Sequence, residues 1–315
     1  MQSLLITRCL PDRVLDAARA RFDVTLRDET SALTPPDLRR ALRDYDAVLP
    51  TLGDRFDAGV FADVPQPRAR ILANFGVGYN HIDTAAARAH GIAVTNTPGA
   101  VTEATADIAM MLILMTARRA GEGERMLRAG QWRGWHPTQM LGMHVTGRTV
   151  GIIGMGRIGR AIARRCHFGF GMTVLFHNRT PMTPDLPARQ VPLTEALSAD
   201  IVVVAVPGGT ETHHLINAAA LAVMRPHALL INIARGDVVD EQALITALHR
   251  GQIAGAGLDV YEHEPQVPKA LTAMENVTLL PHLGTAALDV REAMGLMAVD
   301  NLIAHLEGRP LPNPV

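Results

Sequence analysis

A chain of 315 residues, 48% of them apolar, is long enough for two globular units, each with a core of its own. Thirty basic against 31 acidic side chains leave a net charge of −1, which excludes nucleic acid or a membrane as a partner held by bulk electrostatics. The two cysteines, Cys9 and Cys166, stand in no metal or redox spacing, and the longest apolar run, 108–117, falls well short of the ~20 residues that span a bilayer. Residues 1–8 lack the apolar stretch of a secretory signal, so a reducing, cytoplasmic setting is expected.

In chain order, the first hundred residues alternate short apolar strands with amphipathic helices. Strand 4–7 precedes a helix over 11–21, where Val14, Leu15 and Ala18 share one face. Strand 22–26 follows, then a helix starting after Pro35-Pro36, strands 47–49, 71–74 and 93–95, and a helix over 84–90 between the last two. This rhythm predicts a parallel sheet with helices on both faces. A long helix is expected over 101–119, its Met110, Met111 and Met115 packing against a core or a partner. The stretch 121–147, with Trp132, Trp135, His136 and Pro137, is mixed and suggests no regular element.

Strands are then expected at 150–153, 172–176, 201–205, 228–233, 253–258 and 277–280, with helices at 240–249 and 286–307. The predicted fold class is α/β with two doubly wound parallel-sheet domains. A Rossmann-type cofactor domain would occupy 100–285. A discontinuous, flavodoxin-like substrate or lid domain would occupy 1–99 plus 286–315, because the last helix is too short to stand alone. Ligands are expected at the carboxyl ends of the strands.

The second half is organised around Gly154-Met-Gly-Arg-Ile-Gly159, a G-x-G-x-x-G that follows the apolar strand of Val150, Ile152 and Ile153 and opens a helix. Gly154 suits a tight turn, Gly156 close approach of a pyrophosphate, and Gly159 close helix–strand packing. Free N–H groups near Arg157 and Ile158, at the positive end of the helix dipole, would hold the phosphates.

Three separated residues also follow predicted strands. They are Arg235 in Asn232-Ile-Ala-Arg-Gly-Asp237, Glu264 in Leu258-Asp-Val-Tyr-Glu-His-Glu-Pro265, and His282 in Pro281-His-Leu-Gly284. A guanidinium can fork onto a carboxylate or carbonyl, an imidazole can deliver a proton, and a neighbouring carboxylate favours the imidazolium. Together they suit reduction of a 2-keto acid. The residue types alone leave plainer readings open: a surface salt bridge for Arg235, a solvated loop carboxylate for Glu264, and a packed histidine, one of 13, for His282.

The chain resembles the D-isomer-specific 2-hydroxyacid dehydrogenases over nearly its whole length. The blocks that carry the resemblance are Asn74-Phe-Gly-Val-Gly-Tyr-Asn-His-Ile-Asp83, Asn96-Thr-Pro-Gly99, Thr102-Glu-Ala-Thr-Ala-Asp107, 150–159, 232–237, 258–265 and 281–284, in family order. The resemblance implies that Arg235, Glu264 and His282 are the catalytic trio. It implies that the N–H groups of Val77 and Gly78 help hold the substrate carboxylate, and that Thr105 lies near the nicotinamide. Its implied cofactor contacts also include Gly154, Gly156, Arg157, Ile158, Gly159, Val206, Pro207, Thr212, Ile233, Ala234, Arg235, Asp259, His282 and Gly284.

Cofactor choice can be read at the end of the second strand of this unit. NAD-specific folds of this type usually place an acidic side chain about 20 residues beyond the glycines, on the ribose 2′-OH. Here Asn178, Arg179 and Thr180 stand there with no carboxylate, so a 2′-phosphate would meet a guanidinium and a hydroxyl. NADP(H) is expected in preference, with NAD(H) as the alternative. The block Gly130-Gln-Trp-Arg-Gly-Trp-His-Pro137 resembles the glyoxylate and hydroxypyruvate reductase branch. That implies a homodimer in which Trp135 reaches the neighbouring subunit's site; a Trp135 buried at the interface without touching substrate stays open. Asp54 and Arg55 lie in a loop that the sequence neither places in the cleft nor removes from it.

Three other readings compete. An NAD-dependent dehydrogenase of other substrate choice differs only in detail. A nucleotide-sensing corepressor would share the fold, but no extended tail supplies a partner surface. A metal-dependent hydrolase would need ligands from His213-His214 or from His263 and Glu264. Neither has metalloprotease spacing, and adjacent side chains on a helix or strand diverge, so solvated loop histidines and no metal are expected.

Overall fold

The computed structural model describes residues 1–315, which divide into two compact units: Met1–Val101 with Thr285–Val315, and Thr102–Gly284.

In the first unit, strands β1 (Ser3–Ile6), β2 (Asp23–Leu26), β3 (Ala47–Leu49), β4 (Ile71–Ala73) and β5 (Ala93–Thr95) form one parallel sheet in the order β2-β1-β3-β4-β5. This is the flavodoxin-like order. Alternate side chains feed two cores, because successive residues of a strand point to opposite faces. Leu5, Val48 and Leu72 pack on one face; Leu4, Ile6, Leu49 and Ile71 pack on the other. The terminal helix Leu288–Leu306 belongs to this unit and buries Ala298, Val299 and Leu302 in the second of these cores. Its approach to the first helix, Asp12–Arg19, depends on Gly295, where a Cβ would come within 2.5 Å of Val14. Asp54 is an anchor of this unit: fully buried, it accepts from Thr7 Oγ1 (2.5 Å), Thr51 N (3.0 Å) and Leu33 N (3.0 Å) and pairs with Arg8 (3.2 Å).

The second unit carries β6 (Thr149–Ile153), β7 (Thr173–His177), β8 (Ala188–Gln190), β9 (Ile201–Val204), β10 (Leu229–Asn232), β11 (Gly255–Leu258) and β12 (Val277–Leu279). Every pairing is parallel, in the order β12-β11-β10-β9-β6-β7-β8. Val202 and Val204 face one core, Ile201 and Val203 the other. The chain reverses its direction of travel across the sheet at β6, whose neighbours are β7 and β9. In open sheets of this kind such a switch point is where ligands are bound, at the carboxyl edge.

Several elements depart from expectation. The helix predicted over 101–119 is Thr102–Ala117, and Arg119, with φ of 53°, turns the chain into a second helix, Ala120–Arg128. Gly121 and Gly123 lower helix propensity there and hide it in the sequence. The edge strand β8 was not expected, because its residues are half-buried or exposed and lie in a proline-rich stretch. No helix is long and apolar enough to cross a membrane.

Candidate active site

The glycine turn is built as its spacing requires. Gly154 has φ of 98°, and a Cβ there would lie 2.7 Å from Ala205 O; a Cβ on Gly159 would lie 2.0 Å from Gly154 O. Both positions therefore exclude any other residue. Gly156 faces open space and caps the helix Arg157–Arg164 without a side chain. The first-turn N–H groups are left for an external acceptor, at the positive end of the dipole. A pyrophosphate suits this cradle.

Arg235, Glu264 and His282 follow β10, β11 and β12, on the same carboxyl edge. The order of the strands in the sheet thus assembles residues that are far apart in the chain. His282 Nδ1 and Glu264 Oε2 are 2.8 Å apart, and Tyr261 N donates to Glu264 Oε1 at 3.0 Å. Burial alone would push the Glu264 carboxyl up. The His282 hydrogen bond and charge, the Tyr261 N–H and the Arg235 charge outweigh it, and the net direction is down. Glu264 is therefore an anion. Burial lowers the Arg235 pKa, opposed by Glu264 and Asp237. The guanidinium stays charged at neutral pH regardless.

Neighbours fix each of these groups. Asn232 brackets the Arg235 turn, its Oδ1 accepting from Ala234 N and its Nδ2 donating to Arg235 O, both at 3.0 Å. His282 has φ of 54°, held by Asp259: Asp259 O accepts from His282 N at 3.0 Å, and its carboxylate accepts from Leu283 N at 2.6 Å and Gly284 N at 2.8 Å. Asp259, expected among the cofactor contacts, is 1% exposed, and its carboxylate is engaged by the His282 loop. Thr105 is tied to the same loop through Oγ1 to Gly284 O at 3.1 Å. Tyr261 OH donates to Leu280 O at 2.9 Å. Asn232 and Tyr261 escaped the sequence reading; an Asn at a strand end before a tight turn was the available signal.

The remaining expected positions lie as follows. Ile233 and Ala234 are buried beneath the edge, Val206 is half-buried, and Pro207 is exposed. Thr212 Oγ1 donates to Pro207 O at 2.7 Å, closing the loop after β9. Asn178, Arg179 and Thr180 directly follow β7, with Asn178 Nδ2 donating to Thr180 O at 3.1 Å. Arg179 is ion-paired with Glu211, which lies 32 residues further along the chain. In the first unit, Asn74 Nδ2 donates to the carbonyls of Gly76 and Gly78, each at 3.0 Å, and Asn96 Nδ2 to Val77 O at 2.8 Å. The loop is thus held by its carbonyls. Trp135 is 78% exposed within a single chain.

One expectation is corrected. His213 and His214 do not diverge: they lie in a turn, not a helix or strand, and His214 has φ of 50°. Their rings stack with centroids 4.0 Å apart, and His214 Nε2 is 2.9 Å from Glu262 Oε1.

Comparison with known proteins agrees with this geometry. The sequence profile of the D-isomer specific 2-hydroxyacid dehydrogenase NAD binding domain matches residues 110–284. The chain is 44% identical to a glyoxylate reductase of Thermococcus onnurineus and 45% identical to one of Thermococcus gammatolerans, covering 99% of this chain and 95% of each relative. Among solved structures, it superposes with a TM-score of 0.87 and 39% identity on an NADPH-dependent glyoxylate/hydroxypyruvate reductase of Sinorhizobium meliloti, in complex with NADP and malonate. That match covers 100% of this chain and 96% of the other.

Proposed function

The chain belongs to the D-isomer specific 2-hydroxyacid dehydrogenase family, and from that premise we propose that it reduces small 2-keto acids such as glyoxylate and hydroxypyruvate, with NADPH as the preferred reductant. The observation that carries this reading is the 2.8 Å His282–Glu264 pair on the same sheet edge as Arg235 and the glycine cradle.

The bound dihydronicotinamide supplies the hydride. The chain's own residues do the rest. His282 is held through Nδ1, so its Nε2 is the atom that hands a proton to the carbonyl oxygen as the carbonyl carbon is reduced. Glu264, an anion, orients the ring and balances the imidazolium charge. Arg235 polarises the carbonyl and pairs with negative charge on the substrate. The N–H groups of Val77 and Gly78, whose loop is held by its carbonyls, take the substrate carboxylate.

The nucleotide preference rests on the lack of a carboxylate at Asn178, Arg179 and Thr180. Glu211 must release Arg179 before that guanidinium can meet a 2′-phosphate. A homodimer in the cytoplasm is part of the same proposal: Trp132, Trp135 and Leu141 are exposed along one irregular segment, which a second copy of the chain would cover. A panel of glyoxylate, hydroxypyruvate and pyruvate, each run with NADPH and with NADH, tests the reading. Turnover with none of the three, despite nucleotide binding, overturns it.

A further inference from the structure

We propose that His213, His214 and Glu262 form a binding site for one divalent transition cation of the zinc type. One ligand atom from each residue lies within 4.8 Å of the others. Two donors on a single tetrahedral zinc, each bonded at about 2.1 Å, sit about 3.4 Å apart. His213 is exposed on the far side of its stack with His214, so a side-chain movement of about 1 Å closes the difference.

The surroundings hold the donors in place. His214 N donates to Asp237 O at 2.8 Å and Ile216 N to Val238 O at 3.0 Å, fixing the turn against the segment after Arg235. On the other side, Glu262 N donates to Glu241 Oε1 at 3.0 Å, which fixes the backbone that carries the carboxylate. Glu262 Oε1 already points at the His214 ring. Such outer contacts are what orient the ligands of metal sites.

The donor set selects the ion. Two imidazoles and one carboxylate suit zinc, cobalt or nickel, whereas magnesium and calcium prefer oxygen donors throughout. Three protein ligands leave a fourth position for water, and the exposed His213 gives a route in from solvent. A cation here joins the loop of Thr212 to the segment of Glu264, two parts of the chain that otherwise meet through the His214–Glu262 hydrogen bond.

The test is titration of the metal-free, full-length protein with Co2+, read by its visible absorption, and with Zn2+ by calorimetry against a competing chelator. The expected result is one equivalent bound per chain, a tetrahedral-type cobalt spectrum, a rise in Tm, and no displacement by excess Mg2+. His213→Gln and Glu262→Gln should each weaken binding by about tenfold or more. Because His213 is exposed, its variant tests the site without disturbing packing, and circular dichroism checks both folds. No saturable binding, displacement by Mg2+, or binding unchanged in both variants (an ion held by other histidines) overturns the proposal.

Discussion

His282 Nδ1 and Glu264 Oε2 meet at 2.8 Å, and the carboxylate's other oxygen accepts the Tyr261 N–H. One ring nitrogen is therefore committed to the protein, and the proposed function gives the other the proton transfer. His282→Ala should lower kcat by about 10²–10⁴-fold, the usual contribution of a positioned general acid. The Kd for NADPH, measured by fluorescence titration, should change by less than about threefold. Near-normal turnover removes His282 from proton transfer.

Glu264 gives a pH dependence. Its carboxyl is held below the ordinary value of 4.5, despite burial, chiefly by the bond and charge of His282. A carboxylate with a depressed folded pKa adds stability at and above its unfolded value, and that stability is lost as pH falls through the folded value. The stability difference between wild type and Glu264→Gln should thus shrink as pH falls below about 4.5. Denaturant unfolding at a series of pH values reads this directly. A difference that stays unchanged below about pH 4.5 refutes it.

Asp259 holds the backbone of the loop that carries His282. In Asp259→Asn one of the two N–H groups, of Leu283 or Gly284, loses its acceptor. A buried unsatisfied donor costs about 1–3 kcal/mol. Burial raises the Asp259 pKa above the ordinary 3.8, against the bonds from Leu283 and Gly284 and the charge of His282. We expect kcat to fall about tenfold or more through misplaced His282, with KM for nucleotide nearly unchanged; a loss confined to nucleotide KM would make Asp259 a cofactor ligand instead.

Arg179 and Glu211 form an exposed ion pair beside the end of β7. Removing the acid frees the guanidinium at little cost, since exposed pairs contribute little to stability. Glu211→Gln should raise kcat/KM for NADPH by a few-fold and leave that for NADH unchanged, whereas Arg179→Ala should lower the NADPH value about tenfold. Equal effects on both nucleotides would remove Arg179 from 2′-phosphate recognition.

Much of this was legible in the sequence because it is local. The β-branched runs at Ile201–Val204 and Leu229–Asn232 announce buried parallel strands, and Gly154, Gly156 and Gly159 announce the turn that follows one. Arg235, Glu264 and His282 stand out by their place after strand ends and by the resemblance of the flanking blocks. What stayed hidden depends on contacts between distant segments. Glu211 reaches Arg179, and Glu262 reaches His214, across stretches whose relative placement only the folded sheet determines. Asp54, whose loop the sequence left unplaced, turned out to bind backbone and hydroxyl groups of its own unit, a role no local pattern marks.

The helix Leu288–Leu306 closes over a sheet whose first strand begins at Ser3. During synthesis that sheet is made earliest and covered last, after the entire Thr102–Gly284 unit has left the ribosome. Until then the face bearing Leu4, Ile6 and Ile71 lacks its lid, so a nascent chain stalled before Leu288 presents an open greasy surface for chaperones to hold.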